Sequence, residues 1–229
     1  MKGEELLREF YRKIAPYHDE IFHGDTEGEF YEMDQYVLKL LQQWCPDNAE
    51  MILEVGCGTG YWLKYLTRIR NARIIGVDIS PEMLAIAAEQ YLENPRIKLY
   101  QGDVCSMDFL DDCRFDFTFC PWVFQYLIDK QDFRNGLKEI TRVTKPGGII
   151  LIAEDSPPTK APFTDCLVKK DELGGIYFYE DEYNEMTLPV YRRLLNSDEM
   201  NAALTEQGLD LVSCERKISL KVYVACRLE

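Results

Sequence analysis

Residues 51–60 read M-I-L-E-V-G-C-G-T-G, and this stretch decides how the rest of the chain is interpreted. A short apolar run of strand length meets three glycines spaced two apart, and a helical pattern begins directly after them at Tyr61. A strand, a glycine turn and a helix together place backbone N–H groups and a helix N-terminus against a ligand. Only glycine turns that sharply and leaves room for a ligand on the backbone. The stretch therefore predicts a ligand-binding βα unit.

The glycine spacing narrows the class of ligand. A dinucleotide fingerprint is G-x-G-x-x-G, but Tyr61 stands where its last glycine belongs, and no Lys-Ser or Lys-Thr pair completes a P-loop. A second apolar strand, R-I-I-G-V-D at 73–78, ends in Asp78, 22 residues after Gly56. An acid at that strand end can accept both ribose hydroxyls in charge-assisted hydrogen bonds. This pattern indicates an adenosine cofactor and leaves NAD open.

Three motifs, the first of them within the opening stretch, carry a family resemblance. E-V-G-C-G-T-G at 54–60 resembles motif I of the class I S-adenosylmethionine-dependent methyltransferases, Q-G-D-V at 101–104 resembles their adenine motif, and K-P-G-G at 145–148 is similar to the turn before their fifth strand. The resemblance implies a Rossmann-like α/β fold with a doubly wound, mostly parallel seven-stranded sheet. It also implies an antiparallel C-terminal hairpin, an N-terminal helical cap, and S-adenosylmethionine as cofactor with S-adenosylhomocysteine as product.

We expect a single domain, because no linker, repeat or low-complexity tract interrupts the 229 residues. The apolar pattern is helical before the first strand and irregular after the fifth, where acids alternate with aromatic residues. In the family such an insertion forms the wall on the acceptor side. The expected parts are a helical cap at 1–48, a cofactor-binding core at 49–156, an acceptor-side insertion at 157–196, and a helix with a hairpin at 197–229.

The resemblance also implies which residues hold the cofactor. In the family the glycine loop passes under the methionine part, an acid at the Glu54 position helps to hold the amino end, and a tyrosine near the Tyr17 position closes over the cofactor. A packing role for Tyr17 and Met83, and a turn-capping role for Asp103, are open alternatives. The expected cofactor contacts are Tyr17, Glu54, Gly56, Cys57, Gly58, Gly60, Asp78, Ile79, Met83, Gly102, Asp103, Val104, Cys120 and Pro121.

The methyl acceptor is expected beside residues 120–127, C-P-W-V-F-Q-Y-L, because the central strands of an open parallel sheet end at the ligand crevice. Adenine and glutamine methyltransferases carry [N/D]-P-P-[Y/F/W] there, and the single proline here counts against a nucleobase or amide. We expect transfer to a nitrogen or oxygen of a small molecule, by default an amine. The expected catalytic residues are Asp181, Tyr126 and Asp155, and the expected acceptor-binding residues are Trp122, Tyr126, Tyr179 and Asp181.

Two alternatives to this function stay open. The run at 122–127 and the spacing from Asp181 to Y-R-R at 191–193 are weakly similar to the protein N-terminal methyltransferases, which act on a peptide α-amine; Tyr126 stands where that family has histidine. A non-catalytic adenosine-ligand-binding protein is the other alternative, and the acids at 54, 78 and 103 count against it. His18 and His23 are interpreted as surface or capping residues.

Composition limits the partners. The formal net charge of −14 argues against a broad nucleic-acid surface, which needs a positive field. The eight cysteines form no C-x-x-C pair, so we expect reduced thiols and no metal site. No secretory signal opens the sequence, and no apolar run is long enough to span a bilayer. We therefore expect a cytoplasmic monomer or homodimer that does not bind membranes and whose partner is a small molecule or a peptide.

Overall fold

The strand at Met51–Val55 lies at the centre of the molecule, and every residue of it after the first is buried. The structure is a computed structural model. It describes residues 2–69, 71–157, 166–183, 186–217 and 219–228. Within these residues the strands are, in chain order, Met51–Val55 (β1), Arg73–Asp78 (β2), Ile97–Gln101 (β3), Phe115–Pro121 (β4), Thr144–Asp155 (β5), Leu167–Asp171 (β6), Gly174–Tyr183 (β7), Met186–Leu194 (β8), Leu209–Lys217 (β9) and Leu220–Arg227 (β10).

Helices precede, separate and follow these strands. In the described residues they are, in chain order, Lys2–Ile14 (α1), His18–His23 (α2), Glu29–Trp44 (α3), Leu63–Leu66 (α4), Pro81–Gln90 (α5), Lys130–Val143 (α6) and Ser197–Glu206 (α7). Short 3₁₀ turns lie at Ala15–Tyr17 and Phe124–Tyr126. No helix of the described chain is both long enough and apolar enough to cross a membrane.

Seven strands form the central sheet in the order β3-β2-β1-β4-β5-β10-β9. β1 pairs in parallel with β2 on one side and β4 on the other, and β10 is antiparallel to both of its neighbours. The doubly wound, mostly parallel sheet and the antiparallel C-terminal hairpin predicted from the sequence are thus confirmed. The strand order reverses between β1 and β4, so a ligand crevice is expected at their carboxyl ends.

Alternation along β1 places apolar side chains on both faces of the sheet. Leu53 and Val55 belong to one buried cluster, and Ile52 belongs to a second one. Helix α6 packs with the first cluster through Phe133, and α3 packs with the second through Val37. A parallel sheet covered on both faces has strands that are apolar almost throughout, and in β1 Glu54 is the one exception.

The insertion after β5 is more regular than its sequence pattern indicates. β6, β7 and β8 form a separate three-stranded antiparallel sheet, here called the small sheet. β8 packs against α1 and against the turn at Phe124–Tyr126. The sequence pattern did not predict these strands, which pair with each other and pack on the cap rather than extending the central sheet.

Helices α1, α2 and α3 form the N-terminal helical cap that the sequence predicted. Phe10 and Ile14 of α1 are buried against Met83 of α5. The cap is also joined to the loop that follows β1: Thr59 donates a hydrogen bond of 2.5 Å to Asp19 Oδ1. These contacts place α1 and α2 over the carboxyl ends of the central strands.

Candidate active site

A cavity of about 340 Å³ lies between the carboxyl ends of the central strands and the cap. Its wall is built by four parts of the chain: the loop after β1, the segments at the carboxyl ends of β2, β3, β4 and β5, the cap, and β8. This is the crevice that the strand order predicts, closed from above by helices and from one side by the small sheet. Residues 56–60, here called the glycine loop, follow β1 directly.

Three glycines give the glycine loop its shape. Gly56, Gly58 and Gly60 have φ values of 71°, 52° and 87°, in the left-handed region that favours glycine. A Cβ on Gly56 would lie 2.2 Å from Cγ2 of Val123, so the loop approaches the segment after β4 closely. A Cβ on Gly58 would meet no atom within 4 Å. The glycines are thus required by the turn and by this close approach.

Asp78, at the end of β2, is joined to the glycine loop. Its Oδ2 accepts a hydrogen bond from the Gly58 N–H at 2.7 Å, and its Oδ1 accepts one from the Ser80 N–H at 2.8 Å. Burial raises the pKa of this carboxyl, and the two N–H groups oppose that rise. Each oxygen keeps a second lone pair, and Asp78 lies on the cavity wall, so it can accept from a ligand's hydroxyl groups.

Glu54 lies behind this wall rather than on it. It is fully buried in β1, and neither carboxyl oxygen has a hydrogen-bond partner among the described residues. Burial raises its pKa well above the ordinary range, and the nearby charge of Asp78 raises it further. Burial therefore favours the uncharged form of this carboxyl.

Gly102, Asp103 and Val104 follow β3 and line the far end of the cavity with Ile79 and Met83. The Asp103 carboxylate accepts a hydrogen bond of 2.8 Å from the Cys105 N–H, which is the turn-capping role left open above. Because Asp103 also lies on the wall, its capping role does not exclude contact with a ligand.

The segment after β4 forms the opposite end of the cavity. Trp122 has a φ of 51°, which is strained for a residue with a side chain. Glu154 stabilises this conformation, because its carboxylate accepts hydrogen bonds from three successive N–H groups, those of Val123, Phe124 and Gln125, at 2.8–3.1 Å. Sequence reasoning placed Glu154 at the crevice end of β5 but did not select it as a site residue, because its partners are backbone N–H groups of another segment.

Polar and aromatic side chains meet at this end. Asp155 Oδ1 accepts a hydrogen bond of 3.2 Å from Trp122 Nε1, and Asp155 Oδ2 lies 3.4 Å from Arg192 Nη1. The rings of Tyr11 and Tyr126 meet edge to face, with 5.9 Å between centroids. Sequence reasoning did not select Tyr11 or Arg192, because α1 and β8 approach β4 and β5 only in the folded chain.

The two histidines lie on the cavity wall, so the interpretation of His18 and His23 as surface or capping residues was wrong. His23 Nδ1 is 2.7 Å from Asp34 Oδ2, and the His23 ring stacks on Tyr61 with 3.5 Å between centroids. His18 Nδ1 is 3.2 Å from Asp19 Oδ1. The cap is thus joined to the glycine loop by the hydroxyl of Thr59, and to the residue that follows the loop by the stack of His23 on Tyr61.

The structure brings most of the predicted site residues together. Those on the cavity wall are Gly56, Cys57, Gly58, Asp78, Ile79, Met83, Gly102, Asp103, Val104, Pro121, Trp122, Tyr126 and Asp155. Four lie off the wall: Glu54 behind it, Cys120 in the buried strand β4, Gly60 with its carbonyl bonded to Tyr91, and the exposed Tyr17. The side chains of Tyr179 and Asp181 lie outside the described residues.

Comparison with known proteins agrees with this architecture. A family profile for a methyltransferase domain matches residues 52–148. The chain is 32% identical over 165 residues to a demethylmenaquinone methyltransferase of Chlorobaculum tepidum, covering 70% of this chain and 64% of that protein. It is 34% identical over 165 residues to the Staphylococcus saprophyticus enzyme of the same name, covering 71% of this chain and 68% of that protein. The match thus spans about two thirds of each relative's length.

A solved structure shares the fold across the whole chain. The DhpI–SAH complex superposes with a TM-score of 0.72 at 19% identity, covering 100% of this chain and 98% of that one. Three kinds of evidence indicate the same family: the order of the strands in the sheet, the motifs at 54–60, 101–104 and 145–148, and the names of the curated relatives. The chain belongs to the class I S-adenosylmethionine-dependent methyltransferases.

Proposed function

We propose that this protein transfers a methyl group from S-adenosylmethionine to a small hydroxylated aromatic molecule. One observation carries the proposal: a single cavity runs from the glycine loop and Asp78 to an end built from Trp122, Tyr126 and Tyr11. A cofactor and a flat acceptor can therefore meet inside one enclosure. The cofactor is that of the family.

The residues at the first end fit the cofactor. The left-handed glycine loop leaves open space above Gly58, and Asp78 has lone pairs for the ribose hydroxyls. Asp103, on the same wall, is the residue that we propose for the adenine. Glu54, whose uncharged form burial favours, precedes the loop at the buried end of β1. When bound, S-adenosylmethionine supplies an electrophilic methyl group, so the protein's own task is to orient the acceptor's lone pair and to exclude water.

The second end has groups that could prepare a hydroxyl for attack. A hydroxyl is a better nucleophile after it loses its proton, and a positioned carboxylate can take that proton. Asp155 fills this role in our proposal, because the Trp122 N–H fixes its orientation on the wall. Tyr126 and Trp122 pack on the acceptor ring. Asp181 and Tyr179, whose backbone belongs to β7, remain proposed acceptor-side residues.

Two observations support an aromatic acceptor over the amine expected from the sequence. The curated relatives are named as enzymes that act on demethylmenaquinone, a ring compound, and nothing in their names supports an amine, a peptide α-amine or a non-catalytic binding role. In addition, the rings of Tyr11, Trp122 and Tyr126 lie on the wall at this end and offer area for a flat acceptor.

The test is product analysis with S-adenosylmethionine and four acceptors: a reduced naphthoquinone, a catechol, a primary alkyl amine and a short peptide. We expect S-adenosylhomocysteine to accumulate, and the mass of one methyl group to appear, with the ring compounds. Asp155→Asn should lower turnover by about a hundredfold or more, the range for a general base, while Asp210→Asn on the exposed edge strand should not. Methylation confined to the amine or the peptide would refute the proposed acceptor class.

A further inference from the structure

We propose that His18, Asp19 and His23 form a binding site for a divalent transition-metal ion such as Zn²⁺, on the part of the cap that closes the cavity. One ligand atom from each of these three side chains lies within 4.8 Å of the other two. All three residues belong to α2, and both histidines lie on the cavity wall. The inference goes beyond the proposed function, because methyl transfer as proposed uses none of the three residues.

The kinds of ligand in this cluster fit such an ion. Zn²⁺ and Fe²⁺ bind imidazoles and carboxylates together in proteins, whereas Mg²⁺ and Ca²⁺ take oxygen ligands. Metal bonds of about 2.0–2.2 Å place two ligand atoms roughly 3.3 Å apart, so rotation of each side chain by about an ångström closes the cluster around an ion. Three protein ligands leave a fourth position for water or for another molecule.

Asp34 prepares His23 to bind a metal ion. His23 Nδ1 is 2.7 Å from Asp34 Oδ2, and both side chains are only 8% exposed. A histidine that binds a metal through one ring nitrogen typically donates its other N–H to a carboxylate, which fixes the tautomer and makes the free nitrogen more basic. The ligand atom of His23 is therefore Nε2, which has no hydrogen-bond partner among the described residues. The stack on Tyr61 holds the plane of the ring.

His18 and Asp19 are held beside this ring. The centroids of the two imidazoles are 5.7 Å apart. Asp19 Oδ1 accepts a hydrogen bond from Thr59 Oγ1 at 2.5 Å and lies 3.2 Å from His18 Nδ1. Asp19 Oδ2 has no hydrogen-bond partner in the described part of the chain and remains for an ion. The side chain of Asp19 is 44% exposed, which gives an ion a path of entry.

The charge of the wall favours a cation. Apart from histidines, the charged residues on the described wall are one arginine, Arg192, and four aspartates: Asp34, Asp78, Asp103 and Asp155. Arg192 forms an ion pair with Asp155 at the second end of the cavity. Asp19 and Asp34, in contrast, contact histidines and form no ion pair with a lysine or arginine of the described residues. A metal ion between the two imidazoles would supply a positive charge beside these acids.

The sequence predicted no metal site because its cysteines form no C-x-x-C pair. The proposed ligands are instead an acid and both histidines of the chain, which has only two. Metal binding that depends on histidine can therefore be assigned to this cluster without competition from another imidazole.

Metal binding to the 229-residue chain, after a chelator has removed any bound metal, tests the inference. Zn²⁺ is titrated by calorimetry, and Co²⁺ is titrated by visible absorption, which reports the kind of ligand. The ligand variants are His18→Gln and Asp19→Asn, and Asp34→Asn tests the supporting carboxylate. The control is a double variant, Cys113→Ser with Cys214→Ser, which removes two exposed thiols. Urea unfolding verifies that each variant is folded.

We expect one ion per chain and a cobalt spectrum typical of nitrogen and oxygen ligands. His18→Gln and Asp19→Asn should each weaken binding by more than about a hundredfold, because each removes a direct ligand, and Asp34→Asn should weaken it by about ten- to a hundredfold. The cysteine double variant should bind as the wild type does. Zn²⁺ should raise the urea midpoint of the wild type but not that of His18→Gln, because the ion binds the folded chain.

Three results would overturn the inference. The first is a wild type that binds neither ion, and the second is that folded His18→Gln and Asp19→Asn bind as tightly as the wild type. The third is a cobalt spectrum with sulfur ligands that the cysteine double variant loses. No readout involves a methyl acceptor, so the metal site and the proposed function can fail separately.

Discussion

Replacing Asp78 by asparagine should weaken cofactor binding far more than it weakens the fold. The carboxylate accepts from the Gly58 N–H at 2.7 Å and the Ser80 N–H at 2.8 Å, and it faces the cavity with its remaining lone pairs. An asparagine amide has the same shape but only one accepting oxygen and no charge. One backbone N–H and both proposed ribose contacts are therefore affected by a single change.

The magnitudes follow from these bonds. A hydrogen bond to a charged group contributes about 1.5–3 kcal/mol, so loss of the charged acceptor should weaken binding about ten- to 150-fold. Leaving one N–H without an acceptor costs about 1–3 kcal/mol of folding free energy. Removing a charge that burial disfavours offsets part of that cost, so we expect the lower end, about 1 kcal/mol.

Calorimetry with S-adenosylhomocysteine and urea unfolding measure the two effects separately. Asp116→Asn is the matched control, because Asp116 also accepts from two backbone N–H groups, those of Glu50 and Met51 at 3.0 and 2.9 Å, but at the amino end of β4. We expect Asp116→Asn to lower stability and leave affinity unchanged. If Asp78→Asn binds as tightly as Asp116→Asn does, Asp78 does not hold the ribose.

Three further predictions concern stability. Burial raises the pKa of Glu54 in the folded chain, so its contribution to the free energy of unfolding is fully present below the unfolded-state pKa and is lost as pH rises towards the folded-state pKa. Glu54→Gln, which does not titrate, should therefore gain stability relative to the wild type as pH rises above the ordinary range of a glutamate, and a difference that stays constant with pH in urea unfolding would contradict this. Asp171→Asn leaves the buried charge of Arg193 without its carboxylate and should lower the free energy of unfolding by about 3–5 kcal/mol at pH 7. The wild type should lose the same stabilisation in acid, as pH falls through the lowered pKa of Asp171. A variant as stable as the wild type at pH 7 would show that this ion pair does not stabilise the fold. His23→Ala removes the partner of the buried Asp34 and should cost about 1–3 kcal/mol in the same assay, whereas an unchanged midpoint would show that the stack on the glycine loop is not stabilising.

The central sheet and the cofactor end could be predicted because their signals are local. The strand, glycine loop and second strand ending in Asp78 lie within 28 consecutive residues, 51–78, and the turn chemistry of glycine leaves few alternatives. The motifs at 101–104 and 145–148 then fix the order of the remaining parallel strands. Residues on this part of the wall were therefore found without knowledge of distant contacts.

The acceptor end could not be predicted in the same way. The small sheet was missed because β8 contains Pro189 and β7 mixes acids with aromatics, so neither shows a clean alternation. Arg192 and Arg193 look alike in sequence, and only the packing of β8 on α1 and the segment after β4 gives them opposite environments. His18 and His23 sit in a short polar helix whose partners, Asp34 and the glycine loop, are supplied by other elements.

The buried guanidinium of Arg193 has a consequence for how this wall could be redesigned. The ion pair of Arg193 with Asp171 is buried, so the small sheet is held in place in the folded chain before any ligand binds. The entropic cost of ordering β8 is therefore part of folding and does not reduce the affinity for a ligand. Side chains on the cavity face of β8 can accordingly be exchanged to admit other rings, provided that Arg193 and Asp171 are kept. Of two adjacent positions on β8, residue 192 faces the cavity and can be changed, whereas Arg193 holds the strand in place.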